Sequence, residues 1–178
     1  MPLRQTLPAI WLVSDERNDT ELEAVLGRLP PGSGLVFRHY YLEPAERRAR
    51  FRELADKCRK SHHIAALSDD GETALEWGAD AVYGPAARLG NDPVLLRLAT
   101  AHDESEIEAA NRAKADAVFV SPIYATRSHA DAEPLGADGF ARLSALASMP
   151  AIALGGMTAA RAHAIGARRW AAIDALVH

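Results

Sequence analysis

Gly78-Ala79-Asp80-Ala81-Val82 returns as Lys114-Ala115-Asp116-Ala117-Val118 and, more loosely, as Gly166-Ala167-Arg168-Arg169-Trp170. Each copy follows a stretch with helical spacing and leads into a short apolar run, so the recurring unit is helix, small-residue turn, buried strand. Gly78 and Gly166 can stop a helix in the left-handed conformation, and the alanines beside them let helix and strand approach closely. Outward from these turns, eight apolar runs have strand length: Ala9–Val13, Leu35–Phe37, Ile64–Leu67, Ala81–Tyr83, Val94–Ala99, Ala117–Val120, Ala151–Leu154 and Trp170–Ile173. Helical spacing marks Glu21–Leu29, Pro44–Arg59, Glu72–Trp77, Glu104–Ala113, Ala137–Leu146 and Ala159–Ile165. Pro85–Asn91 is too short and broken for a helix and reads as a loop with one turn.

Near-continuous apolar strands separated by helices indicate a parallel sheet covered by helices, an α/β fold. Eight such units close naturally into a (β/α)8 TIM barrel, and the turns quoted above lie on its non-functional side. The rival, an open doubly wound sheet, expects a Gly-rich turn after the first strand; this chain has Ser14-Asp15-Glu16-Arg17 there. The 178 residues give about 22 per unit, short of the roughly 200 or more usual for such a barrel, so the expectation is one minimal barrel domain over residues 1–178. Asp174–His178 are too few for an eighth helix, which predicts an apolar groove covered by Met1–Leu7 or by a second copy in a homodimer.

Composition narrows the function. At 48% hydrophobic and 25% charged the chain is of globular type. Its net charge of -4 leaves no excess of basic residues to neutralise a phosphate backbone, which argues against nucleic acid as a partner. No apolar run approaches the roughly 20 residues of a membrane span, and Met1–Pro8 lacks the apolar core of a signal peptide. A single cysteine, Cys58, fits a reducing compartment, so a soluble cytoplasmic protein is expected.

On a barrel, chemistry belongs to the loops after the strand C-termini. Here those are Ser14–Arg17, Arg38-His39-Tyr40, Ser68-Asp69-Asp70, Thr100-Ala101-His102-Asp103, the long loop Ser121–Gly136, and Gly155-Gly156-Met157-Thr158. In the last of these a strand, two glycines and a helix-starting Thr158 present backbone N–H groups to an anion such as phosphate, although Gly-Gly alone is also a simple tight turn. The long loop carries Thr126, Arg127, Ser128 and His129, donors able to reach an anionic ligand. Asp69 could ligate a hard cation, or Ser68-Asp69-Asp70-Gly71 could be a helix-capping turn. His62 and His63 precede a strand and point apart, which argues against a metal role. Arg47, Arg48, Arg50 and Arg52, with Glu46 and Glu53, read as a solvated helix face.

Ile10-Trp11-Leu12-Val13-Ser14-Asp15, Ser121-Pro122-Ile123-Tyr124-Ala125-Thr126, Asp131-Ala132-Glu133-Pro134-Leu135-Gly136 and Pro150-Ala151-Ile152-Ala153-Leu154-Gly155-Gly156-Met157, taken in order, resemble segments of the thiamine phosphate synthase and TenI-like family along nearly the whole chain. The resemblance implies a (β/α)8 barrel, often dimeric, that joins hydroxymethylpyrimidine pyrophosphate to thiazole phosphate. Pyrophosphate departs with help from magnesium and basic residues, and the thiazole nitrogen captures the pyrimidine cation. By matching, Arg38 falls on a pyrophosphate-contacting arginine and Asp69 on a magnesium aspartate. Thr126 and Ser128 fall on the two threonines of the phosphate loop, and Gly155 and Gly156 on the glycines that hold the thiazole phosphate. Thr100 and His102 join the expected substrate-binding set.

The departures fall on charged positions. Val36 replaces the family's glutamine, Tyr40 its lysine and Ser68 its asparagine, while His129 stands where the loop lysine is expected. Arg88 lies where the second magnesium aspartate should be, reversing the local charge; with Arg38 and His129 it forms the expected catalytic set, either as a fixed cation in place of part of the metal or as a sign that magnesium binding is lost. Two alternatives stay open. A TenI-like tautomerase would need His102 or His129 as its base, because Pro122 occupies the place of the histidine used there. A non-catalytic phosphate-ligand-binding protein would need only the glycine turn.

Overall fold

The computed structural model describes residues 6–127 and 130–177. Eight parallel strands close on themselves in sequence order, with β1 (Ile10–Val13) pairing both β2 (Gly34–Phe37) and β8 (Trp170–Ala172). Between these run β3 (Ile64–Ser68), β4 (Ala81–Gly84), β5 (Leu96–Ala101), β6 (Ala117–Val120) and β7 (Ala151–Leu154). Helices α1 (Leu22–Arg28), α2 (Pro44–Lys60), α3 (Gly71–Trp77), α4 (Glu104–Ala113), α5 (Gly136–Leu146) and α6 (Ala159–Ala164) follow β1, β2, β3, β5, β6 and β7. The connection from β4 to β5 holds a 3-10 turn, Ala86–Arg88, within irregular chain, as the broken pattern there predicts.

Strand alternation divides the core in two. Trp11, Val13, Val36, Ala66, Tyr83, Leu98, Phe119 and Ile152 fill the barrel lumen, whereas Leu12, Leu35, Phe37, Leu67, Val82, Ala99 and Val118 face the helices. Trp11 and Tyr83 both meet Phe119 edge-on, at 5.5 and 5.0 Å between ring centroids. Gly34 leaves room for this layer: a Cβ there would lie 2.2 Å from the Trp11 ring.

The repeated turns work as bottom braces. Asp80 accepts from the Ala65 N–H at 2.9 Å and Asp116 from the Arg97 N–H at 2.8 Å, each carboxylate stitching its turn to the neighbouring strand. Gly78 ends α3 in the left-handed region at φ +77°, and Lys114 ends α4 the same way at φ +53° despite its side chain.

One expectation needs correction. The fifth strand is Leu96–Ala101, two residues later than the apolar run suggests, because Val94 is 79% exposed in a turn held by Asp92; Thr100 therefore belongs to a strand. Leu176 and Val177 pack against the helix-facing core, and Leu7 against the lumen core. Met1–Gln5 lie outside the described residues.

Candidate active site

Because Val13, Val36, Ala66, Leu98, Phe119 and Ile152 point into the lumen, the residues two further along (Asp15, Arg38, Ser68, Thr100, Ser121 and Leu154) ring its C-terminal mouth. Beside this ring opens a cleft of about 680 Å³ lined by Ser14, Asp15, Glu16, Arg17, Arg38, His39, Tyr40, Tyr41 and Arg127. Three guanidinium groups face it.

Arg38 is held by its surroundings. Its backbone N–H donates to Ser14 Oγ at 2.8 Å, Nε to the Ser14 carbonyl at 3.0 Å and Nη2 to Asp15 Oδ2 at 2.8 Å. Ser14 Oγ is in turn 2.8 Å from His39 Nδ1, and His39 Nε2 lies 2.9 Å from Asp19, off the line of a well-aligned hydrogen bond. His39 is buried at φ +44° and stacks on Phe37. Burial holds its imidazole below the usual histidine value, against the upward pull of Asp19. Asp15 also feels burial, which would raise its pKa, yet hydrogen bonds and charge from Arg17 and Arg38 outweigh it and hold the carboxyl low. Burial and then the Asp19 charge push Tyr41 up to about 12, so its phenol stays protonated.

Asp69 and Arg88 do meet, at 3.1 Å. Between Asp69 and Arg38 stands a residue whose assignment to a solvated face is wrong: Arg47 is 8% exposed. It donates from Nη1 to Asp69 Oδ2 at 2.6 Å, from Nη2 to the Ser68 carbonyl at 2.8 Å and from Nε to the Arg38 carbonyl at 2.8 Å. Its guanidinium also packs on the rings of Tyr40 and Trp77 at 5.2 and 5.3 Å. Arg50 is buried in part as well, bridging Asp19 and Glu23. Asp70, not Asp69, caps α3, accepting from Thr73 N–H at 2.8 Å. Tyr40, in the place of the family's lysine, hydrogen-bonds Ser68, and Val36, in the place of its glutamine, is fully buried in the lumen.

The glycine turn closes the opposite side. Gly155 and Gly156 sit at φ +104° and +60°. A Cβ on Gly155 would lie 2.8 Å from Pro122 Cα and 2.9 Å from Ile123 N, so the turn and the loop after β6 touch through bare backbone. Ile123 and Tyr124 N–H groups donate to the Leu154 and Gly155 carbonyls at 2.9 and 3.0 Å, which keeps that loop against the turn. Thr158 caps α6 as expected, and Arg161, donating to the Gly156 carbonyl at 2.5 Å, covers the Tyr124 ring. Thr126 is part-exposed on this loop, next to the Arg127 that reaches the cleft. His102 N–H and Nδ1 engage Glu106 at 2.6 and 2.8 Å beside the start of α4. Ser128 and His129 lie outside the described residues.

A divalent cation does not suit this donor set. Both oxygens of Asp69 are engaged by guanidinium groups, and among the described residues no group of three or more His, Cys, Asp or Glu is placed to hold a metal. Magnesium wants several oxygen ligands in near-octahedral array. Sequence reading placed Arg17 and His39 on the mouth loops without giving either a role, and it missed Arg47 and Arg161. For Arg47 a signal was present: a cation just inside a helix N-terminus opposes the helix dipole and needs an acid nearby.

Comparison with known proteins bears on this geometry. The family model described as thiamine monophosphate synthase matches residues 10–176. A thiamine biosynthesis bifunctional protein of Symbiobacterium thermophilum is 35% identical over 191 residues, covering 99% of this chain and 38% of that protein. A thiamine-phosphate synthase of Lactiplantibacillus plantarum is 33% identical, covering 71% of this chain and 62% of its own length. This chain thus spans less than two thirds of either relative. The thiamine phosphate pyrophosphorylase structure from Pyrococcus furiosus superposes with a TM-score of 0.81 at 23% identity, over 98% of this chain and 89% of the other, a likeness of fold.

Proposed function

The chain belongs to the thiamine monophosphate synthase family, and from that premise we propose that it joins hydroxymethylpyrimidine pyrophosphate to thiazole phosphate, forming thiamine phosphate and releasing pyrophosphate. The observation that carries this reading is the arginine-lined cleft at the barrel mouth, with Arg17 and Arg38 on the loops after β1 and β2, Arg127 on the loop after β6, and the Gly155–Gly156 turn against that last loop. Two anionic substrates would find donors at the arginine-lined cleft and at the glycine turn, with their reacting ends between.

In this reading the bond between the pyrimidine methylene carbon and the pyrophosphate oxygen breaks with both electrons going to oxygen. The thiazole nitrogen then gives its lone pair to the methylene carbon, and the positive charge ends on the thiazolium ring. No proton transfer is needed, which suits a mouth whose arginines are always charged. Arg38 would neutralise the leaving group, exchanging its Asp15 partner for phosphate oxygens in a bidentate contact. Gly155 and Gly156 let a phosphate approach the main chain, and Thr126 supplies a hydroxyl. Thr100 at the mouth and His102 beyond it would bound the substrate space.

No step is routed through magnesium, because the residues at Asp69 do not fit it. A homodimer and a cytoplasmic setting go with this proposal; no helix among the described residues is long and apolar enough to cross a membrane. Incubating the purified protein with both substrates and identifying products by mass tests the reading. Thiamine phosphate and pyrophosphate in equal amounts are expected. Substrate binding without product would replace transfer by phosphate-ligand binding.

A further inference from the structure

We propose that Arg47 and Arg88 make the leaving-group end of the site independent of divalent cations, with Asp69 serving as an internal counter-anion that a pyrophosphate group displaces from Arg88. The inference rests on the reading that the barrel mouth accepts a pyrophosphate ester.

The geometry is that of an anion site already holding an anion. Asp69 Oδ2 takes Arg47 Nη1 at 2.6 Å, while Oδ1 takes Arg88 Nη2 at 3.1 Å and the Asp70 N–H at 2.9 Å. A divalent cation seeking this carboxylate would meet a guanidinium at each oxygen. The neighbouring carboxylate gives no relief, since Asp70 caps α3 and itself lies 3.9 Å from Arg88. A pyrophosphate oxygen offers the arginines what Asp69 offers now, in the planar geometry a guanidinium fork prefers.

The two arginines differ in freedom, and that difference assigns their roles. Arg47, with its side chain 9% exposed, is pinned through the Ser68 and Arg38 carbonyls and cannot leave; it keeps Asp69 in place and fixes the backbone that carries Arg38. Arg88, with its side chain 55% exposed on the 3-10 turn after β4, can turn from Asp69 to a ligand without unpacking anything. Arg88 is thus the mobile cation, and Arg47 a positioning residue.

The test is calorimetric titration of the full chain with inorganic pyrophosphate, in chelator and in magnesium. Wild-type affinity in chelator should stay within about threefold of that in magnesium. Arg88→Gln should weaken binding about ten- to a hundredfold in both, the size of a lost charge-assisted hydrogen bond. Arg88→Asp should lose binding in chelator and recover it with magnesium, because a second carboxylate then faces Asp69. Arg88 is exposed, so both variants should melt with the wild type. Wild-type binding that disappears in chelator, or an unchanged Arg88→Gln, overturns the inference. Thiamine phosphate formation that stops in chelator would overturn it and leave the transferase reading standing. Pyrophosphate binding in chelator without thiamine phosphate formation would uphold the arginine site and remove the transferase reading.

Discussion

Replacing Arg47 by Met should be among the most damaging single changes to the barrel mouth. Methionine keeps an unbranched apolar stem against Tyr40 and Trp77 but removes three charge-assisted hydrogen bonds, to Asp69, the Ser68 carbonyl and the Arg38 carbonyl. Each such bond contributes about 1.5–3 kcal/mol, and the lost cation–π contacts add about 0.5–1 kcal/mol. These losses are not additive, because Asp69 keeps Arg88 and water can reach part of the vacated space; about 3–5 kcal/mol is expected, the range for breaking a buried pair. For a domain of this size that is a fall in Tm of about 6–20 °C. Arg48→Met is the matched control, since Arg48 pairs with an exposed Glu76 and should cost under about 1 kcal/mol. Urea unfolding followed by tryptophan fluorescence and circular dichroism, with unchanged m-values, measures both. A double-mutant cycle with Asp69→Asn isolates the ion pair. If Arg47→Met lies within about 1 kcal/mol of wild type, or matches Arg48→Met, the staple described here is not one.

Gly155→Ala should cost about 2–4 kcal/mol, because its Cβ meets the backbone of Pro122 and Ile123 as well as a positive φ. Gly166→Ala, at φ +67° with nothing within 4 Å, should cost only about 1 kcal/mol; equal losses would mean that the turn and the β6 loop are not in contact. Acid should destabilise the fold in two stages. His39 is held below 6.5, so its contribution is complete above that value and is lost as pH falls toward its folded pKa, the unfolded chain taking up a proton that the folded one refuses. Asp15, Asp19, Glu23 and Asp70, all held low, lose theirs as pH drops below their unfolded values of about 4. His39→Gln should flatten the pH 7 to 5 portion of a stability profile, whereas a wild type that gains stability on acidification from pH 7 would contradict this. Cys58, buried with its thiol pushed up to about 12, should react with a disulfide reagent at pH 8 only after urea is added; modification within minutes of mixing would show that α2 opens locally.

The parts of the fold set by local patterning were readable from the chain. Gly78 and Gly166 mark helix ends, and near-continuous apolar runs such as Ile64–Leu67 mark strands buried on both faces, so the order of elements and the barrel follow. Where reading slipped, tertiary structure overrode composition. Val94 and Leu95 extend an apolar run, yet Asp92 ties them into a turn and pairing starts at Leu96. Lys114 adopts a conformation its composition does not announce. The positive φ of Gly155-Gly156 was legible, because that conformation favours glycine. Contacts between partners distant in sequence were illegible: Arg47 is 22 positions from Asp69, and its place near the start of α2 signals a need for an acid without telling which one. A separation of 19 positions likewise hid the contact of Arg88 with Asp69, which alignment could juxtapose but not join.

The most direct measurement is a crystal structure of the protein grown with thiamine phosphate and pyrophosphate in chelator. Pyrophosphate should lie against Arg38 and Arg88, with Asp69 released from Arg88 and still held by Arg47, and the thiazole phosphate should meet the Gly155–Gly156 turn. Both ligands bound outside the barrel mouth, or an Arg88–Asp69 pair undisturbed beside bound pyrophosphate, would contradict the account.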